Sequence, residues 1–107
     1  MVAGSVVDTV RQYLKQVNEH GIPVTFGVIF GSQARGTADE QSDIDLLVVS
    51  PHFDEKKDRR ETSLLWRLTV HSDTRVEPIP VGEQEWISDD SRAIIEIARR
   101  EGQIVQV

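Results

Sequence analysis

"GVIFGSQARGTADEQSDIDLLVV", residues 27–49, contains an apolar run, a small-residue turn, a polar stretch and then two aspartates leading directly into Leu46-Leu47-Val48-Val49. Short β-branched and aromatic runs read as strands. "VTFGVIF" (24–30) and "DIDLLVV" (43–49) are therefore expected strands, with a turn at "GSQARGT" (31–37) that opens a short helix ended by Gly36. The second strand is apolar on both faces after Asp45, the pattern of a central strand covered on both sides. Asp43 and Asp45 are out of place in such a strand. Burying an unpaired carboxylate is costly, so a compensating charge is needed. Residues i and i+2 of a strand share a face, about 7 Å apart. Two carboxylates so placed can converge on one cation, or on two roughly 4 Å apart. Oxygen donors of this kind suit magnesium or manganese.

Ten residues separate Ser32 from Asp43. Glycine lets the backbone approach a ligand closely, and free N–H groups at a helix start bind anions. Taken singly, a Gly-Ser turn is a common turn and an Asp-x-Asp is commonly a frayed strand start. Taken together, they bring a phosphate cradle and a cation site to neighbouring strand ends, as nucleotidyl transfer requires.

The flanking chain reads as further elements of one α/β or α+β domain spanning 1–107. Val6, Val10, Tyr13, Leu14 and Val17 recur at helical spacing over 5–20, with Ser5 and Asp8 resembling a capping box and Gly21 a stop. A helix is expected over 54–69, basic at Lys56, Lys57, Arg59 and Arg60 and apolar at Leu64, Leu65 and Leu68, with Trp66 at a core position. "TRVEPIPV" (74–81) alternates like a strand, but Pro78 and Pro80 confine it to an edge or a short piece. The acidic segment 83–90 reads as a solvated helix start. A helix over 89–102 and a last short strand over 104–107 follow. The order is α-β-β-α-β-α-β, without repeats or a linker.

Composition bounds the chemistry. The 107 residues include no cysteine, so there is no disulfide, no zinc–thiolate site and no thiol nucleophile. That suits a cytoplasmic protein. No apolar run approaches the roughly 18 residues needed to span a membrane, and the N-terminus lacks a signal-peptide layout. The net charge of −6 opposes binding of nucleic acid as a polyanion. His20, His52 and His71 have no metal-ligand spacing, and no serine lies in a nucleophile-elbow pattern. Trp86 reads as packing in preference to a cover for a nucleotide base.

"GSQARGTADEQSDID" resembles the Gly-Ser-x10-Asp-x-Asp signature of the polymerase-β-type nucleotidyltransferases. "FGSQARGTADEQSDIDLLV" is similar, more narrowly, to the minimal nucleotidyltransferases, many of them antitoxins paired with a helical HEPN-type toxin. The resemblance implies a small α+β domain with a mixed sheet flanked by helices. It implies a nucleoside triphosphate substrate, ATP or another, with Mg2+ (or Mn2+), and transfer of a nucleoside monophosphate to a hydroxyl. In the antitoxin branch the acceptor is a tyrosine of the toxin. Carried over by position, Gly31 and Ser32 hold the triphosphate, Asp43 and Asp45 bind metal, and Arg35 lies near the phosphates. Glu77, in "RVEPI", is the candidate third carboxylate, a metal ligand or the base for the acceptor hydroxyl; its competing reading is an exposed charge on an edge strand.

Three functions stay open on these residues. One is a transferase acting on a partner protein, in an oligomer with that partner, because the chain is too short to carry the acceptor-binding domain of larger relatives. A second is a binding module that neutralises its partner by occlusion. A third is an enzyme acting on a small cationic molecule of the aminoglycoside type.

Overall fold

Side-chain periodicity and turn chemistry account for most element ends. The computed structural model describes residues 2–55, 59–88 and 92–107. Helix α1 (Gly4–Glu19) buries Val6, Val10, Tyr13, Leu14 and Val17 on one stripe, as a 3.6-residue period dictates. It ends where Gly21, at φ +96°, lets its own N–H donate to Asn18 and that of Ile22 donate to Val17. Positive φ is cheap only for glycine, so Gly21 closes this Schellman pair. The expected capping box at Ser5 and Asp8 is not formed. The N-cap is Ala3, without a side-chain bond. Its carbonyl accepts the N–H groups of Val6 and Val7, so the helix starts one residue earlier and Ser5 falls inside the first turn.

The chain continues through β1 (Phe26–Phe30), α2 (Ser32–Arg35), β2 (Ile44–Val49), α3 (His52–Glu55) and α4 (Arg59–Val70). It then forms β3 (Val76–Val81), α5 (Glu83–Ser88), α6 (Ala93–Glu101) and β4 (Gln103–Val105). The helix expected over 54–69 is thus described as α3 and α4, with Lys56, Lys57 and Asp58 outside the described residues. The segment expected only as a helix start forms a helix of its own, α5, while Asp89 and Asp90 lie outside the described residues.

The sheet is mixed, in the order β3-β2-β1-β4. β1 runs antiparallel to both β2 and β4, and β2 runs parallel to β3. The apolar half of β2 is divided between two cores, as its sequence requires. Ile44, Leu46 and Val48 join the cluster under α1 and α4, while Leu47 and Val49 join Val28, Phe30, Val81, Ile95 and Ala98. β3 is an edge strand of full length despite Pro78 and Pro80. The carbonyls of Arg75 and Val81 accept N–H groups of Ile44 and Ser50, so the odd-numbered residues of β3 face β2. The prolines fall on the alternate set, where a missing N–H breaks no ladder bond.

Trp66 does not occupy the core: it is 45% exposed. The buried side of α4 is Leu65, Leu68 and Thr69, and Trp66 lies one position, about 100° of helix rotation, beyond Leu65. Trp86 does pack, edge-on against Phe26 at 5.6 Å, with the Arg99 guanidinium 5.7 Å from its ring centroid. The main polar tie between α1 and α4 is Tyr13, fully buried, whose hydroxyl donates to the Leu65 carbonyl at 2.7 Å. Burial pushes that phenol well above its usual proton affinity. Tyr13→Phe removes the bond and leaves the ring, so the expected loss is about 1–2 kcal/mol of unfolding free energy in urea titrations. An unchanged midpoint would mean that water already serves the carbonyl.

Candidate active site

β1 ends, and β2 and β3 begin, at the same end of the sheet. That follows from the strand directions, and it draws together residues far apart in the chain. Phe30 pairs with Asp45 across β1–β2, and Asp45 pairs with Glu77 across β2–β3. Neighbouring strands lie about 4.8 Å apart and paired residues share a face. Asp45 and Glu77 therefore present adjacent carboxylates on the face lined further along by Leu47, Val49 and Val81. Asp43 precedes β2 at the same parity, and is exposed where Asp45 and Glu77 are half-buried.

Electrostatics reflect this crowding. The Glu77 carboxyl is held above the usual carboxylate range, first by burial and then by its contacts with Asp45 and Asp43. Like charges at short range disfavour ionisation. A raised carboxyl pKa makes the folded chain harder to ionise than the unfolded one. The penalty is absent below the unfolded pKa, grows as pH rises towards the folded value, and is complete above it. Glu77→Gln should consequently raise the melting temperature of the metal-free protein by a few degrees at neutral pH. The gain should fade as pH falls to about 4, near the unperturbed range. A gain of equal size at both pH values would show that repulsion among the carboxylates is not its source.

Gly31 closes the other side. It sits at φ +73° and ψ −146° at the start of α2, and a Cβ built there would run into Asp45 Oδ2 and lie 3.2 Å from its Cγ. The backbone thus passes directly against the Asp45 carboxylate, which only glycine permits. Ser32 follows, half-buried, as the first residue of α2, and Gly36 ends the helix in the left-handed region.

The model for the nucleotidyltransferase domain family matches residues 8–104. This chain belongs to that family. The nucleotidyltransferase domain is similar in fold to a Sulfolobus solfataricus protein assigned as a nucleotidyltransferase, with TM-score 0.62 and 19% identity, covering 92% of this chain and 77% of that one. It is also similar to a chain of a toxin–antitoxin structure with AMP-PNP, with TM-score 0.59 and 19% identity, covering 87% of this chain and 69% of that one. At such identity these likenesses show the fold. No curated protein matches the sequence.

Among the described residues of this nucleotidyltransferase domain, no three His, Asp or Glu side chains form a metal cage by themselves. The oxygens of Asp43, Asp45 and Glu77 are hard donors on one face, the kind Mg2+ takes, and the Glu77 carboxyl has its proton affinity raised by burial and then by Asp45 and Asp43. Arg35 is exposed, and its guanidinium lies 3.7 Å from Glu101 at the end of α6. Trp86 contacts Phe26, which pairs with Val49 at the opposite end of β2 from Asp45, so it lies away from these carboxylates. Gln33 escapes the reading of the sequence. It is buried, 6% exposed, and its Nε2 donates to the Asp43 carbonyl at 3.3 Å. No spacing rule marks it, because its partner is ten residues away in the chain.

Proposed function

We propose that residues 1–107 form one Mg2+-dependent nucleotidyltransferase unit that transfers AMP from ATP to a hydroxyl of a partner protein. The observation that carries the reading is the in-register pairing of Asp45 with Glu77, beside a glycine that backs onto Asp45. In this reading Gly31 and Ser32 cradle the triphosphate through backbone N–H groups and the Ser32 hydroxyl. Arg35 leaves Glu101 to meet the phosphates. Asp43 and Asp45 hold the cation. When bound, the cation neutralises charge on the phosphoryl oxygens and lowers the pKa of the attacking hydroxyl. The acceptor oxygen attacks the α-phosphorus, the bond from that phosphorus to the α,β-bridging oxygen breaks, and pyrophosphate leaves. Glu77 takes the hydroxyl proton on a carboxylate oxygen, a role its raised proton affinity suits, or completes the cation's donor set, in which case that proton passes to solvent water.

The partner in this proposal is a helical HEPN-type toxin and the acceptor one of its tyrosines. The likeness to a chain of a toxin–antitoxin structure supports a toxin partner. Nucleic acid is disfavoured as acceptor by the net charge of −6. No helix among the described residues is long and apolar enough to cross a membrane, and a reaction consuming ATP belongs in the cytoplasm.

The test is incubation with Mg2+, labelled ATP and the protein encoded by the neighbouring gene. Label on that protein is the expected result. If the neighbour is neutralised with no label transferred, the chain acts by occlusion. Label on an aminoglycoside in the absence of any protein partner would place it among small-molecule enzymes. Binding is separately measurable: millimolar Mg2+ with ATP should raise the melting temperature by several degrees, since a ligand at 100 times its Kd contributes about 2.7 kcal/mol. No shift at those concentrations would count against the metal and nucleotide assignments.

A further inference from the structure

We infer that Gln33 is a positioning residue that sets the orientation of Asp43 and thereby the cation affinity of the site. The inference rests on the reading of Asp43 as a metal ligand. Asp45 and Asp43 are held in different ways. Asp45 lies within the sheet, paired with Phe30 on one side and Glu77 on the other. Its direction is dictated by two ladders. Asp43 precedes β2 and is exposed. Something beyond the β2–β3 ladder must help to hold it.

Two bonds do so, on one peptide unit. The carbonyl of Asp43 accepts from Gln33 Nε2 at 3.3 Å, with the Ser42 carbonyl at 3.5 Å from the same nitrogen. The N–H of Ile44 donates to the Arg75 carbonyl at 2.8 Å. The Asp43 carbonyl and Ile44 N–H belong to one planar group. That plane is gripped by α2 at one edge and by the start of β3 at the other. Its orientation sets ψ of Asp43, and hence where the Asp43 carboxylate lies relative to Asp45. The Arg75 end is well braced: its Nε and Nη2 meet the Asp73 carboxylate at 2.8–3.2 Å, and its Nη1 donates to the Glu40 carbonyl at 3.3 Å. The other end depends on a single amide.

Packing alone does not call for glutamine there. A buried amide costs free energy unless its polar atoms are bonded, and an apolar side chain of the same length would fill the space. What glutamine adds is a donor aimed at the residue two before Asp45. The same side chain follows Ser32 directly, so it couples the proposed phosphate cradle to the proposed metal ligand. Partners just outside a metal's ligands commonly change affinity about 10- to 100-fold when removed.

A cleft of about 260 Å3, lined by Gln33, Ala38, Asp39, Glu40 and Arg75 among others, adjoins this amide. It has room for water beside the Gln33 amide, and we expect that water to serve the Asp43 carbonyl when the donor is lost. Water satisfies the carbonyl without fixing its direction. Substitution should therefore spare the fold and loosen the ligand.

The experiment uses Gln33→Met, which keeps length but has no donor, and Gln33→Ala. Each variant is titrated with Mg2+ at fixed AMP-PNP, and the Mg2+ concentration giving half the thermal shift is read. A Mn2+ titration followed by electron paramagnetic resonance repeats the measurement without nucleotide. Both variants should need about 10-fold more cation than the wild type, with ligand-free melting temperatures within a few degrees of it. Unchanged cation midpoints overturn the inference. So does a lowered melting temperature with an unchanged midpoint, which is the signature of a purely structural role. Asp43→Asn is the control. If it shifts the midpoint and the Gln33 variants do not, only the role of Gln33 is lost. If it too titrates like the wild type, the metal-ligand reading of Asp43 fails and takes this inference with it.

Discussion

Replacing Asp43 and Asp45 together by asparagine should lower nucleotide transfer by about 1,000-fold or more while leaving the metal-free fold at least as stable as the wild type. The two effects have one cause. Burial first, and then Asp45 and Asp43, raise the proton affinity of Glu77, so removing the aspartates' charge relieves the repulsive part in the resting protein. The same charge is what a divalent cation needs, and losing a group that stabilises developing charge commonly costs about 100- to 1,000-fold per group. Stability and activity should thus move in opposite directions, as they do where a site is held under electrostatic strain. Initial rates of label transfer and a urea titration of the same preparation check both. Activity within about tenfold of wild type would remove these aspartates from the chemistry.

Gly31→Ala should be the most damaging small substitution in the site. Alanine at φ +73° and ψ −146° occupies backbone space that is open in practice only to glycine, a strain of about 1–3 kcal/mol. Its methyl group would also collide with the Asp45 carboxylate. Either the turn retreats or Asp45 swings away, and both spoil the juxtaposition of turn and carboxylate. We expect a folded, destabilised protein with transfer reduced about 100-fold or more, since misplacement by about 1 Å can cost that much. The collision has a specific partner, so it can be isolated. Adding Asp45→Ala should restore part of the stability lost in Gly31→Ala and none of the activity. Strictly additive stability losses would show that the two residues do not press on each other.

Much of the site is local in the chain and was therefore readable before the fold. The shared face of Asp43 and Asp45 follows from the two-residue period of a strand. The turn at Gly31-Ser32, the short helix closed by Gly36 and the stop at Gly21 follow from which residues tolerate positive φ. The placement of β3 at an edge follows from two prolines that cannot donate. Where local reasoning failed, a competing carbonyl two residues upstream decided one case and a distant element the other. The Ser5–Asp8 box is a valid pattern, but Ala3 took the cap because the first-turn N–H groups reached its carbonyl. Trp66 has helical spacing, yet the rotation of α4 about its axis is set by how Leu65 and Leu68 meet the sheet and α1.

The sequence by itself determined that two carboxylates and a glycine turn stand at the ends of adjacent strands, because steric and periodic rules act over a few residues. Tertiary structure alone decided that Glu77 lies opposite Asp45, that Gln33 turns inward onto Asp43, and that Arg75 holds the other edge of the same peptide. Those contacts join residues 10 to 32 positions apart (Gln33 to Asp43, and Asp45 to Glu77). Strand register and helix rotation create them, and both are fixed by the packing of whole elements against a common core.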